Sequence, residues 1–251
     1  MAIAWALALG AVVFTRFYNA WGFYRGLHQR VADLGVPDAV RNLDYVVIML
    51  GAAALAGLAA CLLTRAAFAD ALALRRPRRG WACMVLAAGA PMLVGGLVLM
   101  VLRSGSPEPY ALYKLVVRAP IVEEILFRGA LVALPLAVLG DRPRVFWTAA
   151  IASSILFGSL HAPWSAAGFA SGWASMLVAG LGGVWYAWLV RAWRSVFVTI
   201  TLHAAMNLGW TLAGAAGGAG GGGWIENALR AATIAIATVW TVRMVRARKE
   251  P

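Results

Sequence analysis

Eight separate apolar stretches leave this chain few folds to choose from. They fall at about 2–24, 44–64, 81–102, 115–139, 145–162, 172–190, 195–213 and 224–243. Each is close to the ~20 residues a helix needs to cross the hydrocarbon of a bilayer. No stretch alternates polar and apolar residues for long enough to suggest strands. Backbone crossing lipid must satisfy its own hydrogen bonds, and a helix does so within one segment. The expected fold is therefore all-α, a polytopic bundle of about eight transmembrane helices. Composition agrees, with 62% hydrophobic and 13% charged residues among 251 and a mean hydropathy of +0.77. A soluble domain carries about 25% charged residues. The first stretch is the weakest, because Arg16 and Asn19 interrupt it. It lacks the basic start and small-residue cleavage site of a secretory signal.

The net charge of +12 resembles a nucleic-acid signal. Its distribution argues otherwise, because the basic residues cluster in short loops between apolar spans, as the positive-inside rule describes. The partner implied is the lipid bilayer of a cell membrane, and no nucleic acid. With eight spans and a cytoplasmic C-terminus, both termini are inside. Inside loops then hold thirteen Lys and Arg residues, among them Arg75, Arg79, Arg142, Arg194 and Lys249, and outside loops hold six. Cys61 and Cys83 both lie in apolar spans and make no disulfide framework. The glycine run 217–223 reads as a flexible loop. Three regions follow: N-terminal helices over 1–105, a core over 106–213, and a last helix with a basic tail over 214–251. Within the second, 106–118 is expected to form a short interfacial helix.

Charge inside the core span needs an explanation. Ala119-Pro-Ile-Val-Glu-Glu-Ile-Leu-Phe-Arg-Gly129 holds Glu123, Glu124 and Arg128 in an otherwise apolar run. Each charged side chain there costs ~2.5–3.5 kcal/mol on insertion scales, and such residues mark functional sites by default. Glu124 and Arg128 stand at i,i+4 and can pair. Glu123 points about 100° away from Glu124 on a helix, which leaves it free to meet a neighbouring helix. Two of the three histidines lie in spans, each with a partner at i,i+4: Phe157 with His161, and His203 with Asn207. The remaining one, His28, is in a loop. In the eight-span topology Glu123, His161, His203 and Asn207 reach one outer cavity.

Each of these residues has a plain structural reading. A single histidine or asparagine in a span commonly hydrogen-bonds between helices, Glu124 with Arg128 is a structural ion pair, and Phe157 is core packing. Their joint order on three spans is the specific signal. Glu-Glu-x-x-x-Arg, Phe-x-x-x-His and His-x-x-x-Asn resemble the motifs of the CPBP family, the CAAX protease and bacteriocin-processing intramembrane proteases. The resemblance covers roughly Ala119 to Asn207. It implies a bundle of about eight helices with Glu123, His161, His203 and Asn207 at the catalytic positions. Glu124 and Arg128 then take supporting positions of the first motif, beside Phe157 of the second.

The residues suit that chemistry. Peptide hydrolysis needs an activated water, an oxyanion stabiliser and a proton donor for the leaving amine. Glu123 can serve as base and then acid, with His161 orienting the same water. His203 and Asn207 can present N–H groups to the oxyanion, and Arg128 can fix Glu124. No serine or cysteine has a nucleophile's setting, so direct water attack is favoured. Cofactors divide two ways: none, or zinc on Glu123, His161 and His203 with a water in the fourth position. The metal-free reading is preferred, since no H-E-x-x-H occurs. The expected substrate is a membrane-anchored or exported protein or peptide, cut near the outer leaflet. The competing class is a non-catalytic binding or immunity protein that keeps the same polar cluster.

Overall fold

The computed structural model describes residues 2–17, 29–30, 33–35, 43–65, 67–214 and 223–247. His28, the 18–24 end of the first expected span, 217–222 of the glycine run and Lys249 lie outside these. The described residues form helices and no strand. In chain order they are α1 Ala2–Phe17, α2 Leu43–Thr64, a short α3 Phe68–Ala71, and α4 Trp81–Leu102. A continuous helical run, α5, spans 109–139, followed by α6 Pro143–Ser159, α7 Ala166–Trp193, α8 Val196–Leu212 and α9 Trp224–Arg246.

Four of these, α2, α4, α7 and α9, are long and apolar enough to cross a membrane. The regular structure among the described residues is thus all helical, as in a multi-pass membrane protein. The other four segments expected to span are also helical. However, α6 and α8 have 17 residues each, which at 1.5 Å per residue stops short of a ~30 Å hydrocarbon core, and α1 is described only as far as Phe17. α5 is long enough but alternates between α and π geometry. Within the region 106–118, residues 109–118 are helical and lead into the fourth expected span. Glu108 caps Pro109–Leu112 by accepting the Tyr110 and Ala111 N–H groups at 2.8 and 2.6 Å, and the run continues into the core without a break.

Much of α2 sorts its side chains by size rather than polarity. On α2 the inward face is Ala52, Ala53, Ala56 and Ala60, while Leu55, Leu58, Leu62 and Leu63 point outward. Small residues let helix backbones close together where lipid removes the hydrophobic drive for association. A close approach joins α4 to α8. A Cβ on Gly96 would fall 2.4 Å from the Gly209 carbonyl oxygen, and one on Gly209 would fall 2.2 Å from that of Met92.

Polar contacts gather the loops at two ends. At one end Ser195 Oγ donates to the Arg75 carbonyl at 2.6 Å and the Val196 N–H to that of Ala73 at 3.0 Å. Arg191 pairs there with Asp141 at 2.7 Å. At the other end Arg103 Nη1 donates to Glu226 Oε1 and to the Ala213 carbonyl, both at 2.6 Å. The residues 65–79, 141–144 and 191–194, rich in arginine, therefore share one end, as alternating spans require. His161, just past the far end of α6, belongs to the opposite end.

Candidate active site

The site is built on an irregular helix. Within α5 the backbone is π-helical over Tyr113–Arg118, α-helical over Ala119–Glu123, and π-helical again over Glu124–Ala133. Such π segments recur at functional sites. The paired glutamates sit at the second switch, so Glu123 closes an α turn and Glu124 opens a π segment.

Glu124 and Arg128 are both buried, at 0% and 1% exposure. Arg128 Nη1 lies 3.2 Å from Glu124 Oε1, close enough for an ion pair, although the N–H is not aligned for a hydrogen bond. The guanidinium rests in a ring of aromatics, 4.2 Å from the centre of Phe157, 5.4 Å from Tyr186 and 6.0 Å from Phe127. Rings that close contribute cation–π attraction to a charge removed from water. The helix opposite must also make room. A Cβ on Gly183 of α7 would stand 3.1 Å from Arg128 Nη2 and 2.8 Å from Ser154 Oγ.

His203, on α8, joins the two glutamates. Its Nδ1–H donates to Glu124 Oε1 at 3.0 Å. Its Nε2 faces Glu123 Oε2 at 3.9 Å, beyond hydrogen-bond length. Tyr186 stacks on the imidazole with ring centres 5.5 Å apart and planes 26° apart. The Tyr186 hydroxyl donates to Met206 Sδ at 3.4 Å, which fixes the ring. Glu123 keeps 19% side-chain exposure. The two adjacent carboxylates thus differ sharply, one sealed in an ion pair and the other open.

His161 occupies the turn after α6. Its Nδ1–H donates to the Phe157 carbonyl at 3.1 Å, which leaves Nε2 free to accept. Its ring meets Phe157 edge-on at 4.9 Å. Phe157 touches Phe127, Arg128 and His161 together. It links the first motif to the second instead of filling space alone.

One of the two N–H groups of the Asn207 amide is already engaged. Its Nδ2–H donates to the Leu115 carbonyl at 2.7 Å. His203 likewise has Nδ1 committed to Glu124, so Nε2 alone remains for a substrate. Among the described residues no three His, Cys, Asp or Glu side chains gather as a metal-ligand set. Glu123, His161 and His203 are thus not drawn together as zinc ligands in this arrangement. Two contributors escaped the sequence reading. Tyr186 carries a hydroxyl in the middle of an apolar span, which was its only signal. Gly183 is one of many span glycines, and nothing in the chain marks it.

Residues 105–209 match the family model described as type II CAAX prenyl endopeptidase Rce1-like. The matched segment is similar to that family over 105 of the 251 residues. The match begins just before α5 and ends two residues past Asn207, so it encloses every residue of the three motifs. It supports a membrane endopeptidase of the CAAX-protease type. No curated protein and no solved structure matches the chain.

Proposed function

We propose that the Rce1-like domain is an intramembrane endopeptidase in which Glu123 activates a water for direct attack on a peptide carbonyl. The observation that carries this reading is the array Glu124–His203–Glu123, in which one imidazole faces two carboxylates of unlike exposure. Glu124 is held by Arg128 and His203 and orients the imidazole. Glu123, open to the cavity, takes the water proton as oxygen bonds to the carbonyl carbon. It then returns that proton to the amine nitrogen as the C–N bond breaks. His161 Nε2 orients the water, and His203, with a proton on Nε2 as well as on Nδ1, donates the Nε2–H to the developing oxyanion. The proposal is metal-free, on the ground that the sequence holds no H-E-x-x-H pair.

The remaining terms of the proposal are an eight-span bundle with both termini cytoplasmic, and a substrate cut near the outer leaflet. Support comes from the arginine-rich loops meeting at the end opposite His161. The substrate is then the membrane tail or leader of an exported protein or peptide. A second reading rests on the wording of the family model, a CAAX prenyl endopeptidase, and takes a prenylated tail at the cytoplasmic face. Purified protein in liposomes, given one reporter with its scissile bond at either boundary, separates them. Cleavage at the inner boundary alone favours the prenylated tail. A folded Glu123→Gln protein that still cleaves at either position refutes the glutamate mechanism, and a wild type inert on both favours a binding or immunity protein.

A further inference from the structure

The backbone of α5 has a gap that its own sequence creates. At the end of its first π segment the Ala119 N–H donates to the Lys114 carbonyl, five residues back. In that register the Leu115 carbonyl awaits the N–H of residue 120. Residue 120 is proline, which has none. The missing bond falls three residues before Glu123. In a membrane protein such a carbonyl must find a donor elsewhere, because lipid offers none. Asn207 Nδ2–H reaches across from α8 and supplies it at 2.7 Å.

We infer that Asn207 is a positioning residue, whose amide stands in for the N–H that Pro120 lacks and so sets the turn that carries Glu123 and Glu124. This rests on the endopeptidase reading for its catalytic consequence, but the backbone repair stands without it. His203 and Asn207 are one turn apart on α8. One helix face therefore grips α5 twice, through the Leu115 carbonyl before the switch and through Glu124 after it. Two anchors on either side of Glu123 fix both the rotation and the height of that carboxylate against His203. A donor aimed at an oxyanion would do neither.

The distinguishing experiment restores the lost donor in the backbone. Pro120→Ala and Asn207→Ala are made singly and together, and each protein is measured for peptidase activity and for thermal melting in detergent. Asn207→Ala should lower kcat/KM roughly 100-fold, the scale of a small misplacement of reacting groups, and lower the melting temperature. Pro120→Ala alone should stay close to wild type. The double variant should regain melting temperature and most of the activity, because residue 120 now bonds to Leu115 itself. If melting recovers while activity stays at the Asn207→Ala level, Asn207 acts on substrate directly and the inference fails. It fails equally if Pro120→Ala restores neither. Pro120→Gly repeats the cycle with the same N–H on a different backbone, should the alanine variant not fold. A wild type without peptidase activity would sink the endopeptidase reading, and the melting arm would then decide this one alone.

Discussion

His203 donates one ring N–H to Glu124 at 3.0 Å while its other nitrogen faces Glu123 at 3.9 Å. Neighbouring glutamates in one chain are thereby given different work by a single histidine. Fully buried Glu124 can only hold, whereas Glu123, with its exposed edge, can meet water.

That division predicts unequal losses. Glu123→Gln should cut cleavage by about 10²–10⁴-fold, the usual contribution of a general base, with little change in melting temperature. Glu124→Gln should lower both, because it leaves Arg128 buried without its carboxylate. Parallel activity and thermal-shift measurements on the two variants check this. Equal losses of stability would overturn the assignment.

Arg128 lies in its aromatic ring without an aligned hydrogen bond. Arg128→Ala should destabilise by about 3–5 kcal/mol, the usual result of stripping a buried charge of its partner. Replacing Glu124 and Arg128 together, by Met and Leu, should recover part of that stability but not activity. Denaturation in mixed micelles is the measurement, and a double variant no better than the single would count against the pairing.

Gly96 and Gly209 press α4 against α8 with no room for a Cβ on either. Gly209→Ala should cost about 1–3 kcal/mol, as overpacked cores do, and should displace His203 with its helix. The loss should appear as lower kcat together with a lower melting temperature. A fully stable and active Gly209→Ala protein would mean the two helices are free to part.

Metal dependence is open to a direct assay. Protein exhaustively treated with chelator should keep its peptidase activity and carry no stoichiometric zinc. Zinc alone rescuing an inert preparation would instead call for Glu123, His161 and His203 to close into a ligand set that the present arrangement lacks.

Topology has its own check. Reporters fused after Arg78 and after Gly214 should report opposite sides of the membrane, with Arg78 on the cytoplasmic side. Both on one side would break the alternation that puts the arginine-rich loops together.

Much of the helical fold was legible because lipid imposes a simple rule. Apolar runs of sufficient length must be helical, and helices indeed lie on all eight expected stretches. The motif residues stood out in sequence because charge in such a run has a cost and calls for a reason. The i,i+4 pair of Glu124 and Arg128 needed only the helical repeat, and the structure pairs them. The switch from α to π geometry was not readable, because the apolar pattern of the run suits either register. The partner of Asn207 stayed hidden too, even though Pro120 announces a missing N–H in plain sequence. Local chemistry by itself determined which groups could do work in the membrane and which backbone donor was absent. Only tertiary packing decided which glutamate was sealed and which stayed open. Exposure and hydrogen-bond partners belong to the space between helices, and that space exists only once they have packed.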